Sequence, residues 1–180
     1  MKKILIMSCA LLIFVGCTTN LDNTPKKKVE EFFNKYQTLD SSVLNDLDGV
    51  LGAEVTLDER YKDEYRKIVK NNYQKLSYDI KDETINGDTA VVEVEIEVID
   101  YSKAINESEL YLNTNQNEFM NDDNEYDENK YNDYRLNLFK NTNDTVKYTL
   151  NLGLTKKDKE WTLDRLSDTD LAKINGTYSY

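Results

Sequence analysis

Two cysteines lie near the start of the chain, and the second, Cys17, ends an apolar run. This run covers residues 4–15 and follows two lysines. It is well short of the roughly 17–25 apolar residues that span a bilayer as a helix, so residues 1–16 are predicted to form a signal peptide. Cys17 is then a buried thiol, half of a disulfide with Cys9, or an acylation site.

The residues around Cys17 favour acylation. The sequence Phe14-Val15-Gly16-Cys17 resembles the lipobox of bacterial lipoproteins, in which a small residue precedes a cysteine that is diacylglycerated and begins the mature chain. The resemblance implies that Cys17 carries the lipid, with palmitate or similar acyl chains, and that Cys9 is removed with the signal peptide. Two acyl chains anchor a protein stably, whereas a single chain binds only marginally. We therefore expect membrane lipid to be a partner, with residues 17–24 as a tether.

The composition narrows the host and the partners. Abundant Asn, Lys, Ile and Tyr with a single Pro indicate an AT-rich genome, typical of a low-GC Gram-positive bacterium. The predicted location is therefore the outer, extracellular face of the cell membrane. The formal charge of −11 becomes −13 without the two lysines of the signal peptide, and a domain this acidic excludes nucleic acid as a partner.

The chain contains no histidine, and this limits its chemistry. Histidine is the commonest general base and the commonest zinc ligand. Its absence excludes serine–histidine and cysteine–histidine nucleophilic mechanisms. No catalytic residue and no cofactor is predicted.

Two acidic patterns resemble metal sites. On a predicted strand, three glutamates alternate with aliphatic residues: Glu93, Glu95 and Glu97. They are either a row of calcium ligands or the solvent-exposed face of the strand, and the solvent-exposed face is the favoured interpretation. Residues 121–128 are acidic like an EF-hand loop, but Glu128 stands at the glycine position and Tyr134 at the final glutamate position. No metal site is predicted, and calcium binding at 121–128 is left open.

The apolar periodicity predicts three helices, a β-hairpin, a helical insertion, a second hairpin and a short last helix. Tyrosines recur at helical spacing on the third helix, where they are either core residues, the favoured interpretation, or the lining of a ligand pocket. The helix starts are marked by Thr24-Pro25, an Asp40 cap, a capping box over 56–59 and a Ser167 cap, and the first hairpin turn by Asn86-Gly87-Asp88. The insertion is predicted at about 102–143, and the strands of the second hairpin are predicted over 145–155 and 160–166.

This order predicts an α+β fold with one domain over 25–180. The stretches TPKKKVEEFFNKYQTLD, NNYQKLSYDIKDETINGDTAVVEVEIEVID and KEWTLDRLSD resemble the small Gram-positive lipoproteins that have a nuclear transport factor two-like (cystatin-like) domain. The resemblance implies N-terminal helices packed on a curved, cone-like, four-stranded antiparallel sheet. It covers about two-thirds of the mature domain and leaves residues 107–143 unexplained.

Three functions are compatible with these features. The first is a non-enzymatic envelope module that binds a small ligand or an envelope protein, and a protective or immunity lipoprotein is one form of it. The second is a cone-pocket enzyme with an Asp or Glu base and a Tyr acid, for which the candidate carboxylates are Asp79, Asp82 and Asp164. The third, a solute receptor, is disfavoured because such receptors close two lobes on a ligand. Neither the ligand-binding residues nor the oligomeric state is predicted.

The lipid anchor is tested by changing each cysteine in turn. Cys17→Ser should abolish incorporation of labelled palmitate and release the protein from the membrane fraction, because the thioether cannot form. Cys9→Ala is the matched control and should be labelled normally, since Cys9 leaves with the signal peptide. Normal labelling of Cys17→Ser, or maturation that is insensitive to globomycin, would contradict the assignment.

Overall fold

The computed structural model describes residues 23–54 and 57–179, so the predicted signal peptide and Cys17 lie outside the described residues. None of the helices in this part of the chain is long and apolar enough to cross a membrane. The elements are α1 (Pro25–Gln37), α2 (Ser41–Ala53), α3 (Glu59–Lys75), β1 (Ser77–Asn86), β2 (Thr89–Ile99), α4 (Ser102–Thr114), a 3₁₀ turn (Gln116–Phe119), α5 (Glu128–Asn141), β3 (Thr145–Lys157), β4 (Glu160–Leu163) and α6 (Asp168–Ile174).

The fold class is confirmed as α+β. The four strands form one open antiparallel sheet in the order β1-β2-β3-β4. Alternate residues of β2 and β3 point to one face, where they pack against α1 and the end of α3 in a first hydrophobic cluster that includes Val29, Phe33, Val92, Val94, Ile96, Val98, Leu150, Leu152 and Leu154. Burial of this face is the main stabilising contribution to the sheet.

The predicted insertion is also observed. It consists of α4, the 3₁₀ turn and α5, and it connects the two hairpins. Its residues Ala104, Leu136 and Phe139 join Tyr61 and Ile68 of α3 in a second hydrophobic cluster. The insertion therefore extends the helical layer by packing mainly against α3, and its contact with the sheet is at Ile99, the end of β2.

Two predicted boundaries are wrong. Helix α3 begins at Glu59, two residues later than a capping box with Thr56 as its N-cap predicts, because the Asp58 carbonyl accepts the Lys62 N–H at 3.1 Å and makes Asp58 the N-cap. Strand β4 ends at Leu163 instead of residue 166. After one more backbone bond, from Asp164 N–H to the Gly153 carbonyl, the chain leaves the sheet to begin α6.

A buried amide joins the sheet to the helices. The side chain of Asn72 on α3 accepts the Ile99 N–H at 3.0 Å and donates to the Ile174 carbonyl at 3.1 Å. Nearby, the Tyr101 N–H donates to the Gly176 carbonyl at 2.8 Å. Gly176 has a φ of +70°, and a Cβ there would lie 1.9 Å from the Ile99 carbonyl oxygen, so this approach requires glycine.

Removal of this amide should destabilise the fold. Asn72→Ala leaves the Ile99 N–H and the Ile174 carbonyl buried without partners, and the expected loss is about 3 kcal/mol of unfolding free energy. Asn71→Ala, at the exposed neighbouring position, should change it by less than about 0.5 kcal/mol. Both values are measured by urea denaturation, and equal losses in the two variants would contradict this role.

Candidate functional site

A pocket of about 490 Å³ lies in the helical layer, between the two hydrophobic clusters. No residue of the four described strands lines it. Each of the six α-helices in the described part of the chain contributes side chains from the helix or its ends, and these are mostly apolar: Tyr36, Val43, Asp46, Leu47, Val50, Leu51, Tyr65, Ile68, Val69, Tyr73, Tyr101, Ile105, Arg135, Phe139, Leu171, Asn175 and Thr177. The pocket is therefore distinct from the sheet face, which helices already cover.

The tyrosines on α3 include both core residues and residues that line the pocket, which are the two roles that their spacing allows. Tyr61 is a core residue, buried and donating its hydroxyl hydrogen to the Asn129 carbonyl at 2.9 Å. Tyr65 and Tyr73 line the pocket, with Ile68 and Val69 between them, and Tyr73 is also a buried member of the first hydrophobic cluster. The favoured core interpretation is thus incomplete, because part of the same helical face borders a cavity.

One end of the pocket carries an arginine. The Arg135 guanidinium carbon lies 5.4 Å from the centre of the Phe139 ring and 5.9 Å from that of Tyr65. The Arg135 Nε and the Tyr65 hydroxyl are both buried, and neither has a hydrogen-bond partner among the described residues. Burial raises the pKa of Tyr65, and the nearby Arg135 partly opposes that rise. One nitrogen of the guanidinium and one hydroxyl therefore lack hydrogen-bond partners among the described residues, in largely aromatic surroundings.

The other end of the pocket is acidic and hydrogen-bonded. The Tyr73 hydroxyl donates to the Asn175 Oδ1 at 2.9 Å, and the Tyr73 ring packs edge-on against Tyr36 at 4.8 Å. Burial raises the pKa of both tyrosines, and the negative charge of Asp46 adds to the rise. Eight residues of α3 separate Tyr65 from Tyr73, so the two ends are about 12 Å apart.

The carboxylates proposed for acid–base chemistry lie elsewhere. Asp79, Asp82 and Asp164 are all exposed and none lines this pocket. Asp79 pairs with Lys81 at 2.6 Å, and this hydrogen bond lowers its pKa. Asp164 accepts from the Thr155 hydroxyl at 2.9 Å. These contacts leave the proposed acids on the surface.

The two acidic patterns are also accounted for locally. Glu95 pairs with Lys147 at 3.1 Å, and Glu97 accepts from the Thr145 hydroxyl at 2.6 Å. In residues 121–128, the Asn121 side chain accepts the backbone N–H groups of Asp123 and Glu125 and closes a turn. Within residues 23–54 and 57–179, no group of three acidic or other metal-ligating side chains is close enough to hold a metal ion.

Comparisons with known proteins assign neither a family nor a function to this chain. No protein family matches the sequence, and no curated protein matches it. Among solved structures, the chain is similar to the crystal structure of a predicted lipoprotein (ycdA) from Bacillus subtilis, with 19% identity and a TM-score of 0.43. The alignment covers 87% of this chain and 50% of the Bacillus subtilis chain, so this chain spans about half the length of that protein. A likeness at this level defines no family, and the nuclear transport factor two-like resemblance stays a prediction.

The unpartnered hydroxyl gives a stability test of the pocket. Tyr65→Phe should raise the free energy of unfolding by about 1 kcal/mol, because it removes a buried hydroxyl that has no hydrogen-bond partner among the described residues. Tyr73→Phe, on the same helix, should lower it by about 1 kcal/mol, because that hydroxyl is hydrogen-bonded. Thermal or urea denaturation checks the pair, and a loss of stability in Tyr65→Phe would show that its hydroxyl has a stabilising partner.

Proposed function

We propose that the protein is a lipid-anchored lipoprotein of the outer cell surface that binds a small, largely apolar ligand without transforming it. A single observation carries the proposal: the pocket of about 490 Å³ in the helical layer contains a buried guanidinium nitrogen and a buried hydroxyl with no partner among the described residues. Small-molecule sites have this character, with mostly apolar walls and a few polar groups that orient the ligand.

The size and the mouth of the pocket support ligand binding. Its volume is within the roughly 300–1,000 Å³ of small-molecule sites. Two large apolar side chains at the lining remain exposed, Val50 at 65% and Leu171 at 38%. Exposed apolar groups at a cavity are typical of binding surfaces. An apolar ligand that enters between α2 and α6 would cover them.

The chemistry of the lining favours binding over catalysis. Asp46 supplies the single carboxylate among the lining residues described, and it is exposed. General acid–base catalysis at neutral pH needs a carboxylate whose pKa is raised by burial and which lies within reach of the reacting group. The polar groups that are buried here, on Arg135 and Tyr65, are suited to holding a ligand in one orientation.

The anchor part of the proposal rests on the sequence around Cys17. With residues 17–24 as the tether, the domain would begin within a few residues of the membrane surface. A pocket with apolar walls in that location is suited to compounds that partition into the membrane. Capture of such compounds at the cell surface is the role that combines the anchor with the pocket.

A neutral fluorescent probe tests whether the pocket binds. N-phenyl-1-naphthylamine should bind the soluble domain at one site with increased fluorescence. Val69→Trp fills the middle of the pocket and should weaken binding at least tenfold, because the larger side chain occupies the ligand volume. Val91→Trp, at an exposed site on the sheet, is the matched control and should bind as the wild type does. Equal binding by both variants, with folding confirmed by circular dichroism, would contradict the proposal.

A further inference from the structure

We propose that the ligand is an amphipathic monoanion: a single carboxylate head held by Arg135 and an apolar body that runs along α3. This inference rests on the proposed function and specifies the ligand of the same pocket. It is derived from the unpaired arginine, from the distribution of charge along the pocket and from the walls between its ends.

Arg135 differs from the other arginines near the helical layer. Arg60 forms an ion pair with Asp133 at 2.9 Å, and Arg66 pairs with Asp48 at 2.7 Å and also with Asp63. Within the described residues, no carboxylate lies within ion-pair distance of Arg135, and its buried Nε donates to nothing. Arg135 is half-buried, and its buried Nε without a hydrogen-bond partner is unfavourable. A ligand anion would supply that partner and a counter-charge for the guanidinium.

The surroundings of Arg135 select a planar anion. The rings of Phe139 and Tyr65 lie close to the guanidinium, and Phe139 is one helical turn along α5. The guanidinium edge presents a rigid fork of N–H donors that fits a carboxylate with two parallel hydrogen bonds. The Tyr65 hydroxyl, also without a partner, is a further donor at this end.

The opposite end of the pocket disfavours a second anion. Asp46 lies there, near enough to the Tyr36 and Tyr73 hydroxyls to help raise their pKa values. Its negative charge repels an anionic group and is itself solvated, because the side chain is exposed. A ligand with one negative head and an uncharged far end matches both ends of the pocket.

The walls between the ends require an apolar body. Ile68 and Val69 of α3 line the pocket together with Leu47 and Leu51 of α2, and none of these side chains can hydrogen-bond. The separation of about 12 Å between Tyr65 and Tyr73 sets the length of this apolar segment. A carboxylate on a medium-length alkyl chain has this shape and polarity.

The test compares decanoate with decanol, which has the same chain without the charge. Displacement of the neutral probe from the soluble domain should show decanoate binding at least tenfold more tightly than decanol. Arg135→Gln should weaken decanoate by about tenfold to a hundredfold, as expected for loss of a charge-assisted hydrogen bond, and should change decanol less than twofold. Arg165→Gln, at an exposed arginine outside the pocket, should leave both affinities unchanged.

Two further variants protect the test against misfolding. Arg135→Lys keeps the positive charge without the fork, and it should give an intermediate affinity for decanoate. Asp46→Asn removes the repulsive charge at the far end, and it should leave decanoate binding equal or stronger. A weaker affinity in Asp46→Asn would contradict the assigned orientation.

The outcomes separate this inference from the proposed function. Equal affinities for decanoate and decanol, with Arg135→Gln without effect while the neutral probe still binds, would overturn the anion assignment alone. Failure of the neutral probe to bind would instead overturn the proposed function. Binding only to vesicles that contain anionic phospholipid, and not to decanoate, would replace a free carboxylate with a lipid headgroup and would also overturn the assignment.

Discussion

The pocket depends on one buried amide, that of Asn72. Its two hydrogen bonds fix α3 against the end of β2 and against the last turn of α6. The start of the insertion is held at the same junction through the contact between Tyr101 and Gly176. Because α3 supplies one wall of the pocket, and the insertion and α6 supply others, this junction determines where those walls stand. Both polar side-chain atoms of Asn72 have partners in this role, whereas the buried Arg135 Nε and Tyr65 hydroxyl have none among the described residues.

The architecture could be predicted from local signals, because each helix cap or strand alternation depends on residues that are close together in the sequence. Thr24 followed by Pro25, the Asp40 cap and the alternation along β2 each specify one element, and the structure has all three. Boundaries were less predictable where two neighbouring residues could both cap, as at the start of α3. The junction at Asn72 has no sequence signature, because its partners are 27 and 102 residues away.

The site could not be read from the sequence for a related reason. Tyrosines at helical spacing form the same sequence pattern whether they lie in a core or line a cavity. Only packing against other helices distinguishes Tyr61 from Tyr65. Arg135 lies in the segment that the family resemblance does not cover, and an arginine on a weakly amphipathic helix predicts an exposed side chain. Its missing counter-charge is a property of the assembled fold. A useful signal was nevertheless present: Arg135 and Phe139 are four residues apart, which stacks them on one helical face.

The most direct test is to identify what the protein carries in the cell. The protein would be purified from native membranes and denatured, and the small molecules that it releases would be measured by mass spectrometry, with the Val69→Trp protein purified in parallel. The account predicts an apolar compound with one acidic group, present at close to one molecule per wild-type chain and absent from the variant. Wild-type protein that releases no such compound, or a variant that releases it equally, would contradict the account.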